Sequence, residues 1–573
     1  MAKLVKSKDR TWSESIRDKV TEYPIVSGAV ALGVAGYAIY KFVKSIRNSH
    51  QVVTVSAPGK ALIAGGYLVL EHPNIGLVVS CTSRFYTTIG VLKSGDSSLG
   101  VAPTAQQLQV AKSYSCVMIL VLSPQFHAHF MYSYNLNDFT LRLLTGNSNE
   151  FVEKCLLLVF AYLRKASGTF MELLNSYSAS SSTLTLTLRA DNDFYSQVRE
   201  LKNRQLPLTS SSLSQLPKFM PCPLNAASGK VEVAKTGMGS SAALTTSLVG
   251  ALLKFFGCVK LAGLASTRIN EDRRVVHNLS QLAHAVAQGK IGSGFDVSAA
   301  VYGSQAYRRF DPKGFEALMD SATTGVLDDN LLFTAVNDTA LWAQCSVNAL
   351  TLPEGLDLIM GDVCGGSSST SMARAVLAWK SSTTSANAQG CDAKTTWKAL
   401  AEANLAMQEQ LGLLRSCEVN FAADYRAVLQ HASTHCAADW SAAKDLSTDN
   451  QLKTWQVLLR MKALFTQIRA LLKTMGQAAG ADIEPDAQTK LCNATEMLPG
   501  VLAAGVPGAG GHDAVFALVL SSDARSAVET LWSQWHLNTA SASADAVDAV
   551  CPLLLRAEAN PASAGVRVES LKL

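Results

Sequence analysis

The 573-residue sequence lacks any closely spaced cysteine motif. Twelve are scattered along it, with no Cys-x-x-Cys and no Cys/His cluster. That pattern argues against a disulfide framework and a zinc site, and fits thiols held in a reducing compartment. Charge is scarce as well: 17% of residues are charged, and the net charge of +5 is spread thinly. Without a basic tract, nothing marks a nucleic-acid partner. What the chain does have is apolar content, 48% over a length that can bury a large core in more than one domain.

The organising stretch is Lys235-Thr-Gly-Met-Gly-Ser-Ser-Ala242, followed by an apolar run of helical length to Phe256. Gly237 and Gly239 permit a tight turn and close backbone approach to a ligand. Ser240 and Ser241 fall where a helix begins, with unpaired N–H groups and the positive end of the dipole. Such a terminus suits a phosphate, and the two hydroxyls can reach a phosphate oxygen or Mg²⁺. An ordinary loop-to-helix start has the same composition.

Three more glycine-rich segments occur: Ser56-Ala-Pro-Gly-Lys60 with Gly65-Gly66, Gly289-Lys290-Ile-Gly-Ser293-Gly-Phe-Asp296, and Pro507-Gly-Ala-Gly510-Gly511-His-Asp513. Four blocks in this order resemble the GHMP kinase superfamily, in the wording of the fungal-type phosphomevalonate kinases. Val276-His-Asn-Leu, Tyr307-Arg-Arg-Phe310 and Gly480-Ala-Asp-Ile-Glu-Pro485 match as well. The resemblance covers roughly 52–94 and 231–530, is weak over 95–230, and is absent from 1–50.

The resemblance implies ATP-dependent phosphorylation of 5-phosphomevalonate to 5-diphosphomevalonate, in the mevalonate route to isoprenoids and sterols. It implies an α/β (α+β) two-domain fold: a ribosomal-protein-S5-like ATP-binding domain over 50–345 and a ferredoxin-like domain over 346–573. ATP would lie on Lys235, Thr236, Gly237, Met238, Gly239, Ser240, Ser241 and Ala242, with Mg²⁺ on a hydroxyl of Ser240 or Ser241. Lys60 and Asp296 match the catalytic pair. Lys60, Lys290, Ser293, Arg308, Arg309, Gly510 and Gly511 would hold the acceptor. Some superfamily kinases carry a Mg²⁺-binding glutamate at the end of the helix before Gly289, where this chain has Gln288. His277 and His284, seven apart on that helix, read as core or helix-surface residues. A related alcohol kinase, such as a mevalonate kinase, or a non-catalytic nucleotide-binding scaffold are the alternatives.

The acceptor sets the chemistry. An alcohol must lose a proton and calls for Asp296 as base. A phosphate monoester, with a second pKa of about 6, is already largely a dianion at neutral pH. Its obstacle is repulsion between anions, so cations should gather: Lys60, Lys235, Lys290, Arg308 and Arg309. Asp296 would then orient Lys60 and the acceptor. Gly365–Ser371 opens another helix and reads as a second anion site or a flexible loop. Residues 95–230 read as a spacer, apart from the alternating strand Thr183–Leu188.

The N-terminus forms a polar arm over 1–22. Tyr23–Tyr40 then carries no charge, just long enough for a transmembrane helix over 23–43. A signal peptide is disfavoured by the lack of a small-residue cleavage site, and a mitochondrial presequence by Asp9, Glu14, Asp18 and Glu22. A buried helix is the remaining alternative. The expectation is a membrane anchor with the catalytic domain facing the cytosol. Cytoplasm or peroxisome are the alternative locations, the latter because Leu571-Lys-Leu573 resembles the Ser-Lys-Leu signal except at its first position.

Overall fold

The computed structural model describes residues 52–94, 103–261, 268–323, 328–365, 369–382, 392–440, 446–535, 550–560 and 564–570. Eight strands come first in chain order: β1 (Val53–Ala64), β2 (Ile75–Leu92), β3 (Cys116–Ser123), β4 (Ala128–Asn135), β5 (Leu141–Thr145), β6 (Thr183–Ala190), β7 (Gln305–Arg308) and β8 (Ser346–Ala349). After them come β9 (Asp357–Asp362), β10 (Val501–Gly505), β11 (Ala514–Val519), β12 (Cys551–Pro552) and β13 (Arg567–Val568). One sheet runs β13-β1-β2-β6-β3-β4-β5, with β7 paired to β2 and β8 paired to β7. The other is β10-β11-β9-β12, antiparallel throughout.

Four helices matter on the first sheet: α1 (Glu150–Ala166), α2 (Ser240–Phe255), α3 (Arg268–Gln288) and α4 (Phe295–Tyr302). Helix α2 is uncharged up to Lys254 and buried nearly all round, Ala242, Ala243 and Leu248–Leu253 included. A helix without a polar face belongs inside a protein. Burial pins its first turn, so the glycine loop ahead of it starts from a fixed point. Beside the small sheet, α5 (Ser369–Ser381) and α6 (Ala393–Asn420) pack on α7 (Asp449–Ala479), which lies against β10.

Residues 103–230, the described part of 95–230, are no spacer. They supply β3 to β6 and α1, which form the middle and one edge of the large sheet. Strand β3, Cys-Val-Met-Ile-Leu-Val-Leu-Ser, is buried along nearly its whole length, so it shows a continuous apolar run instead of alternation. The boundary expected between 345 and 346 also moves. Strand β8 lies beyond it yet pairs with β7, and β13 brings the C-terminal segment back onto β1. Buried Arg84 fastens that return, donating to Ser56 Oγ at 2.6 Å and to the Gly565 carbonyl at 2.5 Å.

The expected transmembrane helix is withdrawn from the fold. Among the described residues no helix is long and apolar enough to cross a membrane. The 31-residue α7 is long, but Lys453, Arg460, Lys462, Arg469 and Lys473 interrupt it. The 23–43 span lies outside the described residues, as does the 1–22 arm. The corrected architecture is the α/β fold of two sheets and their helices, and nothing in it supports the membrane partner inferred from the span.

Candidate active site

The two domains face each other across a cleft of about 870 Å³. Its first wall is made where a strand and three helix ends converge. The loop before α2 passes through Gly237 (φ +74°) and Gly239 (φ +77°), both left-handed, and Gly239 caps the helix. A Cβ on Gly239 would stand 3.1 Å from Lys60 Cε and 3.6 Å from Asp296 Cβ. Left-handed geometry and this closeness both select glycine.

Lys60 follows a register irregularity in β1 and grips the loop twice. Its backbone N–H donates to the Met238 carbonyl at 3.1 Å, and its Nζ donates to the Gly237 carbonyl at 2.8 Å. The side chain is buried, which lowers its pKa, while the charge of Asp296 and, less strongly, that of Asp513 act in the opposite direction. Asp296 opens α4 behind Gly294 and accepts from the Val297 N–H at 3.0 Å. It reaches Lys60 through space; the lysine hydrogen bond goes to a carbonyl.

Asp296 is braced from α3. Gln281 Nε2 donates to the Gly294 carbonyl at 2.7 Å and lies 3.1 Å from His277 Nε2. His277 Nδ1 meets Asn278 Oδ1 at 2.8 Å, and burial lowers its pKa to about 4. His277 is therefore a core residue, as its helical position suggested. His284 is not: it lines the cleft, with Nε2 at 3.1 Å from Ser241 Oγ and 3.2 Å from Gln288 Nε2. Burial lowers its pKa, Asp296 opposes the shift, and Lys290 and Lys235 reinforce it.

The other expected residues divide. Lys235, Met238, Ser240, Ser241, Lys290, Ser293 and Gly510 line the cleft. Thr236 turns its hydroxyl inward to the Asp193 carbonyl, and Ala242 is packed inside α2. Gly511 sits behind the loop, its N–H on the Ile483 carbonyl at 2.8 Å. The arginine pair expected at the acceptor is not brought into the cleft. Arg308 Nε donates to the Pro73 carbonyl at 3.1 Å. Arg309 is buried and donates to the carbonyls of Leu70, Ile291 and Gly292 at 2.6, 3.1 and 2.6 Å. It shapes the loop carrying Lys290 and Ser293 and leaves no charge facing the cleft.

The second wall belongs to α5 and the Pro507–Gly511 loop. Ala373, Arg374, Leu377, Ala378 and Ser381 form the helix stripe that lines the cleft. Lys380 is paired with Glu71, fastening α5 to the turn after β1. The loop is latched to β1 and to the same turn: Gly508 N–H donates to the Leu62 carbonyl at 3.0 Å, and Tyr67 Oη to the Ala509 carbonyl at 2.5 Å. Sequence reasoning missed Arg374. Its i, i+3, i+4, i+7 neighbours were readable, but nothing in the spacing says which helix face meets a cleft.

Lys60, Lys235, Lys290 and Arg374 thus face Asp296 and Asp513, an excess of cation suited to anionic ligands. Among the described residues no group of three or more His, Cys, Asp or Glu could hold a metal. The cleft does offer hard oxygens on Ser240, Ser241 and Asp296. That set fits Mg²⁺, which keeps its waters and binds through one or two protein oxygens plus ligand phosphates.

Residues 224–304 match the GHMP kinases N terminal domain. The chain is 36% identical over 497 residues to the peroxisomal phosphomevalonate kinase of Arabidopsis thaliana, covering 85% of this chain and 93% of the relative. It is 32% identical over 498 residues to the phosphomevalonate kinase ERG8 of Gibberella zeae, covering 85% and 92%. Among solved structures, the Lin0012 protein from Listeria innocua superposes with a TM-score of 0.53 at 14% identity, covering 91% of this chain and 100% of that one. That likeness concerns the fold.

Proposed function

The chain belongs to the phosphomevalonate kinases of the GHMP superfamily, and from that premise we propose how its cleft performs the reaction. The enzyme uses ATP to phosphorylate 5-phosphomevalonate to 5-diphosphomevalonate. An oxygen of the acceptor phosphate bonds to the γ-phosphorus, the bond from that phosphorus to the β–γ bridging oxygen breaks, and ADP leaves. The observation that carries the assignment of the site is the meeting of Gly239, Lys60 and Asp296 within one turn of the α2 N-terminus.

In this reading the Gly237–Ser241 backbone cradles the nucleotide phosphates at the helix end. Lys60 stands where the transferred group passes between two anions, its charge held against the loop by Gly237. Lys290 and Arg374 face the acceptor's own phosphate and carboxylate. Phosphoryl transfer depends mainly on positioning and neutralisation of charge. The acceptor dianion needs no base, so Asp296 acts by holding Lys60 charged despite its burial. Ser241, with Ser240 and Asp296 nearby, would hold the Mg²⁺ that accompanies the nucleotide, and that ion would supply neutralisation of phosphate charge. Peroxisomal location, on the precedent of the plant relative's name, is part of the proposal; a fluorescent fusion excluded from peroxisomes would contradict it.

The test of the acceptor is ADP release by the purified full chain. Phosphomevalonate should support turnover, and unphosphorylated mevalonate should do so far more weakly. Faster turnover with mevalonate would move the chain to the alcohol kinases.

A further inference from the structure

The phosphate loop offers two adjacent serines, and the structure treats them differently. Ser240 is buried, and its hydroxyl lies in hydrogen-bonding contact with Tyr195. Ser241 lines the cleft with its Oγ 3.1 Å from His284 Nε2. That ring is 6% exposed and has a second neighbour on the same nitrogen, Gln288 Nε2 at 3.2 Å.

An amide nitrogen can only donate. His284 Nε2 beside Gln288 Nε2 is therefore an acceptor, and the ring is neutral with its proton on Nδ1. A hydroxyl next to an accepting nitrogen donates its one proton to it. Ser241 then has no proton left for a nucleotide phosphate and presents only lone pairs to the cleft. Lone pairs on a hard oxygen attract a divalent cation and repel a phosphate oxygen.

We propose that His284 is a positioning residue: by accepting the Ser241 proton it commits Ser241 to the cation that accompanies the nucleotide. Gln288, which stands where related kinases place an acidic residue, then serves a different purpose. It fixes the histidine and makes no contact with the metal itself. This rests on the phosphate-loop reading above.

The test is a double-mutant cycle on the full chain with Ser241→Ala, His284→Ala and both together. Binding of AMPPNP is measured with and without Mg²⁺, beside kcat. Each single change should reduce the tightening that Mg²⁺ gives to AMPPNP binding by about 10- to 100-fold, the usual effect of losing a residue that orients a metal ligand. Binding without Mg²⁺ should change little. The double variant should be no worse than Ser241→Ala, because His284 acts through that hydroxyl. His284→Gln, which can place an amide oxygen near the lost Nε2, should recover part of the Mg²⁺ effect. If His284→Ala does not fold, the comparison of His284→Gln with and without Ser241→Ala carries the test: the Mg²⁺ effect should vanish only when Ser241 is lost. Losses that multiply in the double variant, or an unchanged Mg²⁺ effect in folded His284→Ala, overturn the inference. A harmless Ser241→Ala would instead overturn the reading of the loop itself.

Discussion

The two walls of the cleft are built from different materials. The first is a wall of backbone, with left-handed glycines at 237, 239 and 294 and the starts of α2 and α4. The second is a wall of side chains, one stripe of α5 and a loop latched through Tyr67. Backbone walls demand particular residues, because another side chain strains or collides. Side-chain walls tolerate substitution and set selectivity. The first wall should therefore control whether the reaction occurs, and the second which acceptor it uses.

Lys60→Ala should break the first wall most severely. It removes the charge between the two anions, and losses of about 10²–10³-fold in kcat accompany removal of a single preorganised donor. A kcat within a fewfold of wild type would show that Lys60 is peripheral.

The brace behind that wall should be visible in stability. His277 is neutral when folded, with a pKa of about 4 against 6.5 for the free side chain. Its pKa is lowered on folding, so as pH falls below 6.5 the unfolded chain takes up the proton first. The wild type should lose stability from pH 6.5 down to about 4, on the order of 3 kcal/mol, and no more from this residue below that. Denaturant unfolding of wild type and His277→Gln should differ in slope over that window. Parallel curves would remove His277 from the account.

Gly239→Val should weaken ATP binding by about tenfold or more while leaving the melting transition cooperative, since a β-branched side chain resists positive φ and meets Lys60. Unchanged ATP affinity would place the nucleotide elsewhere. The second wall should respond more gently. Arg374→Ala should raise KM for phosphomevalonate about tenfold, the value of one charge-assisted contact, with KM for ATP nearly unchanged. Equal effects on both substrates would erase the distinction between the walls.

This contrast also explains what the sequence disclosed. The first wall was legible because its glycines and the residues beside them occur at fixed places: Lys60, Gly239, Ser241 and Asp296 all reach the cleft. Arg308 and Arg309 were misplaced because a strand pattern does not say which carbonyls will claim a guanidinium. Arg374 and His284 were missed because each sits on a helix whose spacing looks the same on any face. The large sheet was half hidden because β3 has no alternation to read, and the partnership of β13 with β1 joins residues some 500 positions apart.

The most direct test of charge neutralisation as the cleft's main task is the pH dependence of Asp296→Ala acting on phosphomevalonate. With the acceptor already ionised, Asp296 takes no proton in the reaction. The residual rate of the variant should therefore be low and should not rise above the acceptor's second pKa of about 6, falling instead as Lys60, without Asp296 to hold its charge, loses its proton. A residual rate that climbs steadily into the alkaline range, as hydroxide replaces a missing base, would contradict the account and make Asp296 the general base.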